Sequence, residues 1–152
     1  MLHNIRLAAE FAAKPAEIYA MYLDAKSHAD ITAAPSAIGA HEGGDFSAFG
    51  GSLTGRILHL VKGKRIVQTW RSDAFKKGDL DSILVLNLSA LGANQTLLDL
   101  EHINVPLQDY AGISHGWETY YFAPWREYLA ERAAHDALRK PPGRQKSRRK
   151  TP

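Results

Sequence analysis

After Pro35 the chain alternates between apolar and polar side chains in short runs, and only a few residues separate one run from the next. Alternation of this kind is typical of half-buried strands, because successive side chains of a strand point to opposite faces of a sheet. The pattern predicts six strands, over residues 36–40, 45–49, 53–61, 65–71, 82–89 and 95–104. Parallel neighbours need long crossover connections, so connections this short predict an antiparallel meander.

The breaks between the predicted strands contain residues that favour turns. They include Gly43-Gly44, Gly50-Gly51 and Lys62-Gly63-Lys64. The run Gly43-Gly44-Asp45-Phe46 superficially matches a cyclic-dinucleotide synthase signature, but that signature needs a further acidic residue where Phe46 stands. We interpret the two glycines as a turn that admits positive φ before a strand.

One strand and two helices precede the meander. Residues 3–11 alternate cleanly and predict a half-buried strand. Pro15 followed by Glu17 is typical of a helix start, because proline is tolerated in the first turn and an acid is favoured there. Asp24 is a suitable N-cap for a second, short helix that ends near Ile31.

The last predicted element is a long helix with an aromatic face. Its apolar residues recur at intervals of three and four, the spacing of one helix face: Trp117, Tyr120, Tyr121, Pro124, Trp125, Tyr128 and Leu129. Pro124 cannot donate to the carbonyl of Tyr120, so we expect a kink there. The order of elements predicts an α+β fold in which about seven antiparallel strands curl around one long C-terminal helix and enclose a cavity.

Charge is distributed unevenly along the chain. Residues 139–152 hold seven of the 19 basic residues and no acid, which leaves 12 basic against 16 acidic residues, a net charge of −4, in residues 1–138. We therefore expect a folded domain over 1–138 and a disordered basic tail over 139–152. The tail would attract nucleic acid only weakly, and no nucleic-acid interface is otherwise expected.

The composition also indicates the cellular compartment and which kinds of catalytic or metal site to expect. The chain has no cysteine, shows no secretory segment and contains no apolar run long enough to span a bilayer, so we expect a cytoplasmic protein without a membrane span. The seven histidines form no metal-binding motif, and we expect neither a metal nor another cofactor. No nucleophile elbow or phosphate-binding loop is present either.

Four segments resemble one known family. They are Gly43-Gly44-Asp45-Phe46, Leu53-Thr54-Gly55-Arg56-Ile57, Arg65-Ile66-Val67-Gln68-Thr69-Trp70-Arg71 and Gly116-Trp117-Glu118-Thr119-Tyr120-Tyr121-Phe122. In order and spacing they are similar to the C-terminal domains of the activators of Hsp90 ATPase, within the START-like superfamily of helix-grip folds. Eukaryotic members are co-chaperones that stimulate Hsp90 and carry a further N-terminal domain, which makes much of the chaperone contact. Since the first strand begins almost at Met1, we expect no such domain here.

The helix-grip fold implies that the core residues and the cavity wall lie on the same face of the sheet, the one turned toward the C-terminal helix. We predict that the cavity is lined by Gln68, Trp70, Leu98, Leu100, His102, Asn104, Trp117, Tyr120 and Tyr121. Each has a plainer interpretation: Trp70 as a large core residue, and His102 as a structural histidine whose hydrogen bonds are satisfied. In the ligand interpretation, Gln68, His102 and Asn104 are polar anchors for a mostly apolar molecule.

Three functions follow from the sequence. The first is a non-catalytic domain that holds an apolar small molecule, such as a lipid or an aromatic compound, between the sheet and the C-terminal helix. The second is an interaction domain for an Hsp90-type chaperone. The third is an enzyme of the cyclase or dehydratase type that uses polar groups in the cavity.

Overall fold

The structure is a computed structural model that describes residues 2–139, without the side chain of Leu2. Seven strands occur in chain order: β1 (Leu2–Phe11), β2 (Ala37–Ile38), β3 (Asp45–Ala48), β4 (Leu53–Val61), β5 (Arg65–Ser72), β6 (Ser82–Gly92) and β7 (Gln95–Pro106). Four α-helices accompany them: α1 (Pro15–Leu23), α2 (Ala25–Thr32), α3 (Tyr110–Gly116) and α4 (Ala123–Arg139). Of the basic tail for which we expect disorder, residues 139–152, Arg139 is the last residue of α4, and residues 140–152 lie outside the described part of the chain.

The strands form one antiparallel sheet in the order β1-β7-β6-β5-β4-β3-β2. Consecutive strands are neighbours from β2 to β7, and β1 pairs with β7 from the far end of the chain. The register shifts between Ile57 and His59, between His3 and Ile5, and between Ala90 and Gly92. Such bulges bend strands, and the sheet curves around the C-terminal helix. The predicted helix-grip architecture is confirmed.

Local chemistry explains the two short helices. Pro15 is the first residue of α1, and the backbone N–H of Lys14 donates to Oε1 of Glu17 at 3.0 Å. Asp24 caps α2 as predicted, since its carboxylate accepts from the backbone N–H of Ser27 at 2.9 Å. Helix α2 ends at Thr32, and Ala33 then takes a left-handed conformation with φ of 58°.

Two predicted strands are shorter in the structure. The strand expected over 36–40 is reduced to Ala37–Ile38, and the strand expected over 45–49 ends at Ala48. Phe49 leaves the sheet because its φ is +52°, and Phe49–Gly51 form a 3-10 turn instead. Ahead of β3, Gly43 has a φ of 88°, which agrees with the turn predicted for the paired glycines.

The C-terminal helical run begins earlier than predicted and contains an irregular turn. It starts at Tyr110 instead of Gly116, after a 3-10 turn over Leu107–Asp109. Residues Trp117–Phe122 are π-helical, and the N–H of Ala123 donates to the carbonyl of Glu118, five residues earlier. The change of hydrogen-bond register thus lies directly before Pro124, which has no N–H to donate. The irregularity predicted at Pro124 takes the form of this π-helical segment.

The core lies between the concave face of the sheet and the C-terminal helical run. The helical run contributes Trp117, Tyr121, Phe122, Trp125 and Leu129, and the central strands contribute Ile66, Leu84, Leu86, Leu98 and Leu100, all buried. No helix within residues 2–139 is long and apolar enough to cross a membrane.

Candidate functional site

An open, aromatic cleft of about 320 Å³ lies where the C-terminal helical run crosses the outer half of the sheet. Its lining is almost entirely apolar and consists of Phe49, Ser52, Leu53, Trp70, Gly112, Ile113, Gly116, Trp117, Tyr120 and Tyr121. The sheet side comes from the 3-10 turn, β4 and β5, and the helical side from α3 and the π-helical segment. Five aromatic rings therefore face a space of small-molecule size.

Phe49 is held at the cleft in a strained backbone conformation. A φ of +52° is unusual for a bulky residue, and Gly50 and Gly51 follow it with φ of 65° and 99°. The turn is anchored by the N–H of Gly50, which donates to the carbonyl of Pro35 at 2.9 Å. The ring of Phe49 packs edge-on against Tyr120 and Tyr121, with centroid distances of 6.1 and 5.6 Å. Strain that the surroundings maintain in this way is often found at functional sites.

Trp70 forms part of the sheet side of the cleft and is only 5% exposed. Its ring lies edge-on to His102, with centroids 4.6 Å apart, and 6.4 Å from the ring of Trp117. The indole N–H of Trp70 has no hydrogen-bond partner among the described residues. Buried polar groups are normally paired, so this donor is a notable feature of a wall that is otherwise packed.

Behind the cleft, His102 forms a fully buried hydrogen-bond chain. Its Nδ1 accepts from the indole N–H of Trp117 at 3.2 Å, since an indole nitrogen can only donate. Its Nε2 lies 2.8 Å from the hydroxyl of Ser82, which donates to the carbonyl of Trp70 at 2.6 Å. Because the Ser82 hydroxyl donates its only hydrogen to the Trp70 carbonyl, it can only accept from His102, so Nε2 of His102 is the donor. This geometry specifies a neutral imidazole protonated on Nε2.

A second buried histidine supports the cleft from α2. Nδ1 of His28 lies 2.7 Å from the backbone carbonyl of Tyr22, which can only accept, so Nδ1 carries the proton. Nε2 of His28 consequently accepts from the hydroxyl of Tyr121, also at 2.7 Å. Tyr121 therefore has a fixed hydroxyl orientation, and its donor is used inside the protein.

These groups are uncharged near neutral pH. Burial lowers the pKa of His102 to about 3, and burial also lowers the pKa of His28 despite its hydrogen bond to the Tyr22 carbonyl. Burial raises the pKa of Tyr121 above its usual range, and burial together with the nearby Tyr121 hydroxyl raises that of Tyr22. A general acid or base works best with a pKa near the working pH. The cleft and its support are thus better suited to holding an apolar group than to proton transfer.

The structure brings four of the nine predicted cavity residues to the cleft: Trp70, Trp117, Tyr120 and Tyr121. Four others are buried in the core, with exposed fractions of 0–2%: Gln68, Leu98, Leu100 and His102. Gln68 accepts a hydrogen bond from the hydroxyl of Tyr22. Asn104 lies near the end of β7 with a φ of +64°, and its N–H donates to Oδ1 of Asn4 at 3.1 Å, away from the cleft.

Six lining residues were not anticipated: Phe49, Ser52, Leu53, Gly112, Ile113 and Gly116. The sequence pattern places Phe49 in a strand and begins the helix only at Gly116, so it does not predict α3. The pair Gly50-Gly51 was the one local indication that the chain turns beside Phe49.

A second depression, of about 470 Å³, lies on another part of the surface, between α1, the β6–β7 turn and α4. Its lining is mixed and includes the exposed ion pair between Arg132 and Glu17, whose atoms are 3.4 Å apart. It contains none of the predicted residues. Within residues 2–139 no three acidic or histidine side chains are placed to hold a metal ion.

Comparison with known proteins places these features in a family. Residues 12–130 match the family model described as "Activator of Hsp90 ATPase homolog 1-like protein". The chain belongs to this AHSA1-like family. The matched region contains every residue of the aromatic cleft, from Phe49 to Tyr121, so the cleft lies within the AHSA1-like domain.

Named relatives and solved structures agree with this assignment. The chain is 30% identical over 119 residues to the activator of 90 kDa heat shock protein ATPase homolog 1 of Mus musculus, covering 78% of this chain and 35% of that protein. The corresponding Dictyostelium discoideum homolog is 29% identical over 115 residues, which cover 76% of this chain and 30% of the relative. The chain thus spans about a third of the length of the curated relatives it matches.

Two solved structures share the fold. The crystal structure of an HSP90 activator from Plasmodium falciparum has a TM-score of 0.78 and 21% identity, and the match covers 84% of this chain and 96% of that one. CalU16 from Micromonospora echinospora has a TM-score of 0.65 and 26% identity, over 77% of this chain and 70% of that one. These likenesses confirm the AHSA1-like fold of the described residues.

Proposed function

We propose that this chain is a non-catalytic binding domain whose partner is an Hsp90-type chaperone. The observation that carries the proposal is the family match over residues 12–130, supported by relatives that are named as activators of the 90 kDa heat shock protein ATPase. The uncharged cleft supports binding instead of proton-transfer chemistry, because burial keeps the two histidines behind it neutral near pH 7.

Titration of the chain into the Hsp90-type chaperone of its own source organism tests this proposal. Isothermal titration calorimetry should detect binding, and the chaperone's ATPase rate should rise in the same titration. Binding is the primary measurement, because the chain spans only about a third of its named relatives. Absence of both binding and any rate change up to about 100 µM, a concentration at which even weak complexes form, would reject the proposal.

The aromatic cleft supports a second candidate function, the binding of an apolar small molecule. A volume of about 320 Å³ falls within the usual range of ligand pockets, roughly 300–1,000 Å³. The aromatic side chains that line the cleft suit an aromatic or alicyclic compound. The ligand would lie between the sheet and the C-terminal helical run, in contact with Tyr120 and Tyr121.

An uncharged fluorescent probe, N-phenyl-1-naphthylamine, tests the cleft directly. Ile113→Trp should fill the space and weaken probe binding at least tenfold, while Ala130→Trp, on an exposed face of α4, should leave it unchanged. Circular dichroism confirms that both variants fold. Equal probe affinity in the two variants would show that the probe binds elsewhere, and would remove the support for a ligand in the cleft.

A further inference from the structure

Strand β1 forms a long, open edge of the sheet. It pairs with β7 on one side, and its other side meets no strand. Among the described residues, no backbone hydrogen bond joins its outer side to another segment. The opposite edge is β2, which is only two residues long. A long edge of this kind is a template for pairing with another strand.

The regular part of β1 has a defined centre. The register with β7 shifts between His3 and Ile5, and then runs without interruption from Ile5 to Phe11. Ala8 is the middle residue of that stretch. Two copies of β1 that pair antiparallel around a two-fold axis at Ala8 would use the whole regular stretch and none of the bulge.

The charges on β1 are complementary to themselves in this arrangement. Arg6, Ala8 and Glu10 lie on the exposed face of the strand. With the axis at Ala8, Arg6 of each copy stands opposite Glu10 of the other, so two opposite-charge pairs form. An axis at Arg6 or at Glu10 would instead place like charges opposite each other. The charges therefore select the same register as the regular stretch.

This pairing would also bury more apolar surface on the face of β1 that packs on the core. Ile5 and Ala9 are buried, whereas Leu7 between them is only half-buried, although it packs on the core. In the register centred on Ala8, Leu7 would stand opposite Ala9 of the second copy and diagonal to its Leu7. Side chains in these positions are within contact distance, so the exposed part of Leu7 would be covered.

We propose that this chain forms a two-fold symmetric homodimer in which two β1 strands pair antiparallel, centred on Ala8, and join both sheets into one. The contacts that Arg6 and Glu10 make within one chain are compatible with this pairing. Arg6 reaches Glu101 at 3.3 Å, and Gln95 donates to Glu10 at 3.4 Å, both in exposed positions where such contacts are weak. Pairing of one short strand buries little surface, so the dimer should be weak and concentration-dependent.

Charge reversal, followed by sedimentation velocity between about 5 and 500 µM, tests the register, because this range covers weak dimers. Arg6→Glu and Glu10→Arg should each weaken self-association at least tenfold. The double variant should restore it, and an equimolar mixture of the two single variants should form a heterodimer. Arg56→Glu is the matched control, because it reverses an exposed strand charge that pairs with Asp45 far from β1, and it should leave association unchanged.

Cross-linking provides a second measurement in a chain that has no cysteine of its own. Ala8→Cys places the two thiols at the axis, so a short bis-maleimide should yield a covalent dimer. Ser89→Cys, exposed near the end of β6, should not. A wild-type chain that stays monomeric at every concentration overturns the proposal, as does a dimer unaffected by the charge reversals or equal cross-linking of both cysteine variants. Neither chaperone nor probe is involved, so these results are independent of the proposed function.

Discussion

The indole N–H of Trp117 on the π-helical segment meets Nδ1 of His102 on β7 at 3.2 Å. Four residues later, the hydroxyl of Tyr121 meets Nε2 of His28 on α2 at 2.7 Å. Two neutral histidines from different parts of the fold therefore fix the same irregular segment, and both contacts require the imidazole to accept. The cleft wall depends on the protonation state of these two side chains.

Stability should consequently fall in mild acid. Burial holds the pKa of His102 at about 3 and lowers that of His28, whereas an unfolded chain has histidine pKa values near 6.5. Below about pH 6.5 the unfolded chain binds more protons, so each histidine removes up to about 1.4 kcal/mol of stability per pH unit. The stability that comes from keeping these histidines neutral is fully present above pH 6.5 and is lost as the pH falls toward 3. Urea unfolding between pH 4.5 and 7.5 measures this slope.

His102→Gln isolates one histidine from the carboxylates, which also titrate in this range. The variant should be less stable at pH 7, but its free energy of unfolding should fall less steeply with acid, by up to about 1.4 kcal/mol per pH unit. Parallel pH curves for the variant and the wild type would contradict the assignment of a neutral His102.

Removal of the Tyr121 hydroxyl should leave His28 with an unsatisfied buried acceptor. We expect Tyr121→Phe to lower the free energy of unfolding by about 1–3 kcal/mol. The matched control is Tyr120→Phe, because Tyr120 is the adjacent tyrosine and is 60% exposed. Its change should lie within about 0.5 kcal/mol. Equal effects in chemical denaturation would mean that the Tyr121 hydroxyl does not contribute through His28.

Gly55 is required by a close approach between β4 and β5. A Cβ atom on Gly55 would lie 2.0 Å from the carbonyl oxygen of Thr69. Gly55→Ala should therefore force the strands apart and cost about 3 kcal/mol. Gly112→Ala in α3 is the comparison, because nothing lies within 4 Å of its added methyl group. It should stabilise the protein by about 0.5–1 kcal/mol through helix propensity. In thermal unfolding, the Tm should fall for Gly55→Ala and rise for Gly112→Ala.

Trp70 should matter through its size and not through its indole N–H. Trp70→Ala should cost about 3–5 kcal/mol, since it removes a large buried ring beside His102 and Trp117. Trp70→Phe should cost only about 1–2 kcal/mol, because the indole N–H forms no hydrogen bond among the described residues. A Phe variant as unstable as the Ala variant in urea unfolding would indicate that this N–H has a stabilising partner.

The fold could be predicted from the sequence because its determinants are local. Alternation and glycine turns specify β3 to β7, and Pro15 and Asp24 specify the two short helices. At Phe49 the prediction is wrong because a long-range contact decides the conformation. Phe49 continues the alternating pattern, yet it takes positive φ in a turn anchored to Pro35. Helix α3 was missed because its sequence, Tyr110–Gly116, holds two glycines and no regular apolar spacing.

The site could be predicted only in part, for a related reason. Alternation places Gln68 and His102 on the concave face, and the structure agrees, but it cannot tell a cavity wall from a filled core. That difference depends on partners distant in sequence: Tyr22 for Gln68, and Ser82 and Trp117 for His102. Trp117 and Tyr121 reach the cleft because they belong to the segment that closes the fold.

The π-helical segment also determines how the chain tolerates insertions and deletions. Each residue of a helix advances the next by about 100° of rotation. Deletion of one residue within Trp117–Phe122 could convert the segment to an ordinary α-helix without breaking the backbone pattern. Because the wide π-helical turn absorbs one residue, later side chains would keep their direction, and Trp125 and Leu129 would stay in the core. A deletion outside the wide turn has no such compensation and would turn the aromatic face away from the sheet.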